Sequence, residues 1–227
     1  MADLLNFFID FVLHIDRHLA EIVTNYQSWT YAILFLIVFC ETGLVVTPFL
    51  PGDSLLFAAG AVAAMDGNPL NIYFLVPLLL LAAFIGDNTN YTIGRFLGTR
   101  VYEKDYRLIK RKYLDETHAF YEKHGGKTLI IARFMPIIRT FAPFVAGVGT
   151  MKYRRFLMFC IIGNLLWVNI FSFAGYYFGN IPAVKNNFSF VVFGIIFVSF
   201  VPPVYTFVKQ LIKHRKEGKG EMVNGKQ

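Results

Sequence analysis

Three stretches of this chain carry no charged side chain: residues 67–86, 156–184 and 186–208, which are 20, 29 and 23 residues long. A helix rises ~1.5 Å per residue, so about 20 apolar residues cross a ~30 Å hydrocarbon core. Runs of this length predict a multi-span membrane protein rather than a soluble domain. Composition agrees: 56% of the 227 residues are hydrophobic and 16% are charged, where a soluble domain carries roughly 25% charged residues. The balance excludes a disordered chain, a collagen and a disulfide scaffold. The net charge of +7 does not point to nucleic acid, because the positive residues cluster where a membrane protein keeps its cytoplasmic anchors.

The apolar stretches are not all alike. Residues 7–24 place Phe8, Val12, Ile15, Leu19 and Ile22 on one helical face and Asp10, His14, Arg17, His18 and Glu21 on the other. This predicts an interfacial amphipathic helix within residues 1–26. His14 and His18 are a helical turn apart, but no third metal ligand accompanies them, so a wetted face is expected and no metal. Residues 28–66 are apolar but broken at Pro48, Pro51 and Gly52. Prolines and glycine end helices, so two short arms forming a re-entrant hairpin are expected. Residues 70–98 predict a full span and 99–127 a polar cytoplasmic segment with eight Lys/Arg and five Asp/Glu. Residues 128–150 are apolar and broken again by Arg133, Pro136, Arg139 and Pro143, which predicts a second re-entrant hairpin. Full spans follow at 156–180 and 188–208, then a basic tail at 209–227. All of this is expected to form one membrane domain. Cys40 and Cys160 are expected to be reduced core thiols, and no cleavable signal peptide is visible.

The order of interfacial segment, broken hairpin and full span occurs twice. Gly86-Asp87 and a later Gly94-xxx-Gly98 in the first span echo Gly163-Asn164 and Gly175-xxx-Gly179 in the second. Small-xxx-small pairs let helices approach closely; they are expected to pack the two repeats together. Residues 1–94 hold a single basic residue, Arg17, against eight acids. The polar centre, the cluster Lys152, Arg154 and Arg155, and the tail hold nearly all the rest. By the positive-inside rule these three are cytoplasmic. The second hairpin then enters from the cytoplasm and the first from outside. The expected fold is therefore an all-α inverted repeat with opposed hairpins, a layout that places a transport site near the bilayer midplane.

Five charged residues fall inside apolar segments: Glu41, Asp53, Asp87, Arg133 and Arg139. Each costs roughly 2.5–3.5 kcal/mol at the bilayer centre even on insertion scales, so such residues usually mark function. Arg133 and Arg139 are six apart and would diverge on a straight helix; Pro136 between them lets both turn to one site. A guanidinium offers a planar fork of donors suited to phosphate. The two arginines are therefore candidates for a phosphate clamp, with structural ion pairs to Glu41 and Asp53 as the alternative. Asp53 follows Pro-Gly and fits a helix N-cap. Glu41 lies in mid-arm, where a carboxylate must be either neutral or paired with a cation, and it is the candidate for proton coupling with Asp53. Asp87 and Asn164 occupy matching places and are expected to make polar packing contacts.

These residues also carry a resemblance. Glu41-Thr42-Gly43, then Pro48 through Leu56, Gly86-Asp87, Arg133-Phe134-x-Pro136-x-x-Arg139-Thr140 and Gly147 resemble the DedA family, part of the wider VTT (SNARE-associated Golgi protein-like) group. The likeness covers roughly residues 30–180. Ala132 stands where many members have glycine. The resemblance implies a bacterial inner-membrane protein that supports envelope integrity and membrane potential. It further implies a transporter of undecaprenyl phosphate or, as in eukaryotic relatives, a phospholipid scramblase. The family's two required acids match Glu41 and Asp53, and its two required arginines match Arg133 and Arg139.

The expected partners are a phosphate-headgroup lipid, protons as coupling ion and the bilayer, with no cofactor and no nucleic acid. A proton-coupled cation antiporter using Glu41 and Asp53 is the alternative transport reading. Two further readings are an assembly factor acting through its partners and a membrane enzyme. An enzyme is not expected, because no histidine lies in the spans and His118 and His124 fall in the polar centre without a nucleophile motif.

Overall fold

Pro136 and the residue before it illustrate how this chain is cut into short helices. Met135 is extended, as the ring of a following proline requires, and Pro136 then opens a helix at its first position, where its missing N–H is no loss. The same logic runs through a computed structural model that describes residues 21–23, 25–44, 52–65, 67–103, 125–149, 151–185, 187, 190–191, 194 and 197. The helices are α1 (Trp29–Gly43), α2 (Gly52–Ala63), α3 (Ile72–Glu103), α4 (Lys127–Ala132), α5 (Pro136–Val148), α6 (Tyr153–Phe178) and α7 (Pro182–Lys185). No strand occurs among the described residues.

Two helices are long and apolar enough to cross a membrane, over Ile72–Gly98 and Tyr153–Phe178. The others fall short: α1, α2 and α5 have 15, 12 and 13 residues, or roughly 18–23 Å against the ~30 Å needed. The interfacial segment with His14 and His18, the tip prolines Pro48 and Pro51, most of 99–127 with His118 and His124, nearly all of 188–208 and the basic tail lie outside the described residues.

The first long helix continues past the candidate span Ile72–Gly98 to Glu103. One expectation changes. Pro143 does not mark a hairpin tip. It lies inside α5, where it removes only the amide that would bond the carbonyl four residues back. The break lies at Arg133–Met135, between α4 and α5.

The packing is crosswise. α1 and α5 lie against α3, while α2 and α4 lie against α6. α2 packs so tightly that every residue from Gly52 to Val62 is buried. Glycines permit this. A Cβ on Gly175 would strike the Phe57 carbonyl, and one on Gly60 the Ser172 carbonyl, at the α2–α6 seam. At the α3–α5 seam, a Cβ on Gly94 would strike the Phe144 carbonyl and one on Gly147 the Tyr91 carbonyl. Both small-xxx-small pairs are thus spent inside the chain, each joining a long helix of one half to a short helix of the other. Lipid offers little hydrophobic drive between apolar helices, so close packing and polar contacts must hold them.

Two apolar clusters bracket a polar layer. One joins α1, α2, residues 72–83 of α3, and Trp167 and Val168. The other joins Tyr91, parts of α4 and α5, and Phe156 and Cys160, with Tyr91 stacked on Phe156 at 4.3 Å between ring centres. The clusters come in opposite order along α3 and α6, so the two long helices run antiparallel. Asp87 and Asn164 lie between the clusters, within about two residues of the middle of each long apolar segment, or ~3 Å along the axis.

Candidate functional site

The polar layer gathers every intramembrane charge that the sequence singles out. Glu41 closes α1, Asp53 is in the first turn of α2, Asp87 is mid-α3, Arg133 caps α4 and Arg139 is in the first turn of α5; all five are buried. Asp53 is expected as an N-cap, but it is a residue of the helix itself, and its carboxylate turns to other helices.

The two arginines are not equivalent. Arg139 is shared by both acids of the first short-helix pair: its Nη2 pairs with Glu41 and its Nη1 with Asp53. Arg133 pairs instead with Asp87, and its guanidinium lies 3.7 Å from the Cys160 sulfur. The alternative reading of ion pairs to Glu41 and Asp53 therefore holds for Arg139 alone. Pairing is required here, since an uncompensated charge in a low-dielectric interior is strongly destabilising.

Asp87 makes several polar contacts. Its Oδ2 receives the Cys160 thiol at 2.8 Å and the Asn164 amide at 2.9 Å, besides Arg133. The matching places of Asp87 and Asn164 are in direct contact. Gly163 makes room for this, with the Arg133 side chain running across it. Glu41 is accommodated likewise, since its carboxylate occupies the space that a Cβ on Gly52 would need.

Two residues in contact with the layer escape a reading of the sequence. Trp167 of α6 is fully buried. Its indole N–H donates to Asp53 Oδ1 at 2.7 Å, and the Arg139 guanidinium carbon lies 4.6 Å from its ring centre. Asn90 of α3 donates to the backbone carbonyls of Thr42 at 3.1 Å and Thr140 at 2.7 Å, tying the end of α1 to α5. A signal for both was present. Asn90 follows Asp87 by three residues and Trp167 follows Asn164 by three, so each shares a helix face with a polar-layer residue.

The space lined by Leu129, Arg133, Arg139, Ala142, Pro143, Phe156 and Cys160 has no room for a water molecule. Among the described residues Arg133 Nη1 and Arg139 Nε have no hydrogen-bond partner, and neither do Glu41 Oε2 and Asp87 Oδ1, although buried polar groups are nearly always satisfied. The arrangement sets three carboxylates against two guanidiniums, with one nitrogen of each guanidinium unused. No group of three or more His, Cys, Asp or Glu able to hold a metal occurs among the described residues.

Comparison with known proteins agrees with the motifs. Residues 50–177 match the VTT domain. The chain is 58% identical over 215 residues to Protein DedA of Escherichia coli K12, which covers 94% of this chain and 96% of that protein. It is 46% identical over 170 residues, 74% of each chain, to an uncharacterized membrane protein of Mycobacterium tuberculosis. It is 34% identical over 182 residues, 78% of each chain, to inner membrane protein YghB of Escherichia coli. No solved structure gives a significant match.

Proposed function

Because the chain belongs to the DedA family of VTT-domain membrane proteins, we propose that it carries a phosphate-headgroup lipid, undecaprenyl phosphate, across the bacterial inner membrane. The observation that carries this reading is the pair of buried arginines, each paired with acids on other helices and each keeping one nitrogen without a hydrogen-bond partner among the described residues. A phosphate supplies the oxygens that those N–H groups lack and can displace the carboxylates, because charge-assisted guanidinium–phosphate bonds are of the same kind.

In this reading the two short-helix pairs are opposed re-entrant hairpins related as inverted repeats. Four features favour it: the crosswise packing, the antiparallel long helices, the lengths of the short arms and the mid-span position of the polar layer. The segment 99–127, the cluster at 152–155 and the C-terminus face the cytoplasm. The headgroup enters between Arg133 and Arg139 while the lipid tail stays in the bilayer. Protonation of Glu41 or Asp53 weakens their hold on Arg139, so a proton gradient biases the direction of release.

The test is headgroup accessibility of labelled undecaprenyl phosphate in liposomes holding the purified protein, with and without a pH gradient. Faster flipping is expected, and it should disappear in Arg133→Ala and Arg139→Ala. An unchanged flipping rate in both variants would refute the clamp.

A further inference from the structure

Three groups converge on one oxygen. Asp53 Oδ1 receives both Arg139 Nη1 and the Trp167 indole N–H, and the same Arg139 guanidinium lies over the Trp167 ring. We propose that Trp167 is a positioning residue that holds Asp53, by its N–H, while Arg139 leaves the ring for the headgroup. The proposal rests on the reading of Arg139 as a phosphate ligand and adds to it which contact breaks and which persists.

The packing separates the contacts into two kinds. α1 and α5 pack chiefly on α3 to form one set and α2 chiefly on α6 to form the other; α3 and α6 also meet each other, and α4 touches both α5 and α6. Trp167 and Asp53 both belong to the second set, on helices locked together where Gly175 meets Phe57 and Gly60 meets Ser172. Arg139 belongs to the first set and shares it with Glu41, its other acid. Separation of the two sets admits a headgroup beside Arg133 and Arg139, where the space has no room for water. It breaks Arg139–Asp53 and lifts the guanidinium off the ring. It leaves Trp167–Asp53 intact, and Glu41 stays in the set of Arg139, where the headgroup displaces it.

Chemistry favours such a holder beside the other contacts of Asp53. An Asp53 carboxylate deprived of Arg139 is a buried acceptor without its cation, and a buried polar group is costly unless hydrogen-bonded. The indole N–H is a donor only and buried, so it too needs an acceptor. Each satisfies the other in both positions of Arg139. The ring face adds a cation–π seat that favours Arg139 in the closed site. Phenylalanine keeps the face and removes the donor.

The experiment uses the emission of Trp167. The chain has two tryptophans, and Trp29 is 74% exposed, so Trp29→Phe leaves Trp167 as the sole reporter without touching the core. In liposomes holding Trp29→Phe protein, added undecaprenyl phosphate should change the Trp167 emission saturably. Undecaprenol, which lacks the phosphate, should not, and Arg139→Ala in the same background should abolish the response. Trp167→Phe should slow flipping about tenfold, since a hydrogen bond to a charged group is worth at least a decade in rate. Active flipping with unchanged emission, or wild-type flipping by Trp167→Phe, would overturn the role of Trp167 and leave the clamp standing. No flipping and no emission change with the phosphate lipid in protein of wild-type stability would overturn the lipid reading itself, and this proposal with it.

Discussion

The two short-helix pairs are built alike and charged oppositely. In both, a short arm ends near the polar layer, a break follows and a second arm leaves it. In both, the second arm packs on the long helix of the other half through glycine contacts. Yet α1 and α2 bring Glu41 and Asp53, while the α4–α5 segment brings Arg133 and Arg139. Neither pair can neutralise its own charges. Arg139 needs Glu41 and Asp53, and Arg133 needs Asp87 of the first long helix. Packing therefore relates the halves by likeness, and electrostatics relates them by complement. The proposed phosphate clamp would use this opposed charge set, because both arginines could then turn to one ligand.

The largest expected effect breaks that complement at its busiest point. Arg139→Ala leaves two acids without their cation and should destabilise the protein by about 5 kcal/mol, the upper range for a broken buried pair. Glu41→Gln with Asp53→Asn in the same chain should restore most of the stability without restoring transport. Unfolding in detergent reports the first quantity and lipid flipping the second. Arg133→Ala should cost less, about 3 kcal/mol, because the stranded Asp87 keeps its bonds from Cys160 and Asn164. Equal costs at the two arginines would contradict the uneven sharing of the acids.

The likeness is tested at the seams. Gly94→Ala and Gly175→Ala each drive a methyl into a backbone carbonyl of a short helix, at Phe144 and Phe57 respectively. Each should cost about 2 kcal/mol as overpacking, and by similar amounts, since the two contacts are counterparts. A cost confined to one seam would show that only one short helix is held by close approach. Thermal unfolding of the two variants in the same detergent decides it.

How much of this was legible depended on the range of the interaction. Glu41, Asp53, Arg133 and Arg139 stood out because a charge in an apolar run is costly wherever its partner lies. The arms stood out because proline and glycine act on their immediate neighbours. The small-xxx-small pairs showed that close packing occurs, not which helix is met. Partners were harder. Arg133 turns to Asp87 and not to the acids of the first short-helix pair, a choice made by the packing of α4 on α6 beside α3. Trp167 reads as one more apolar residue in a span, and its acceptor lies 114 residues away. Pro143 looked like a break but is carried within a helix, because a proline's local cost of ~3 kcal/mol is one that tertiary packing can override.

The smallest expected effect probes the one place where the halves meet like with like. Asp87 and Asn164 touch across the middle of the long helices, an acid facing its own amide counterpart at 2.9 Å. Asp87→Asn alone removes the carboxylate that Arg133 pairs with and should behave like a broken buried pair. The exchange Asp87→Asn with Asn164→Asp returns the carboxylate to the layer, moved by one hydrogen-bond length onto the helix that already carries Cys160. Gly163 leaves the Arg133 side chain lying beside that position, so the guanidinium reaches the relocated acid by a change of rotamer. The exchanged protein should therefore unfold within about 1 kcal/mol of the original, roughly the net worth of one ordinary hydrogen bond. It should also keep its transport, because Arg133 again has one acid to leave and one headgroup to meet. If the exchange is as damaging as Asp87→Asn alone, the acid must belong to α3 in particular. Arg133 would then be held across the seam between the packed sets, and the likeness of the halves would end at their shared backbone.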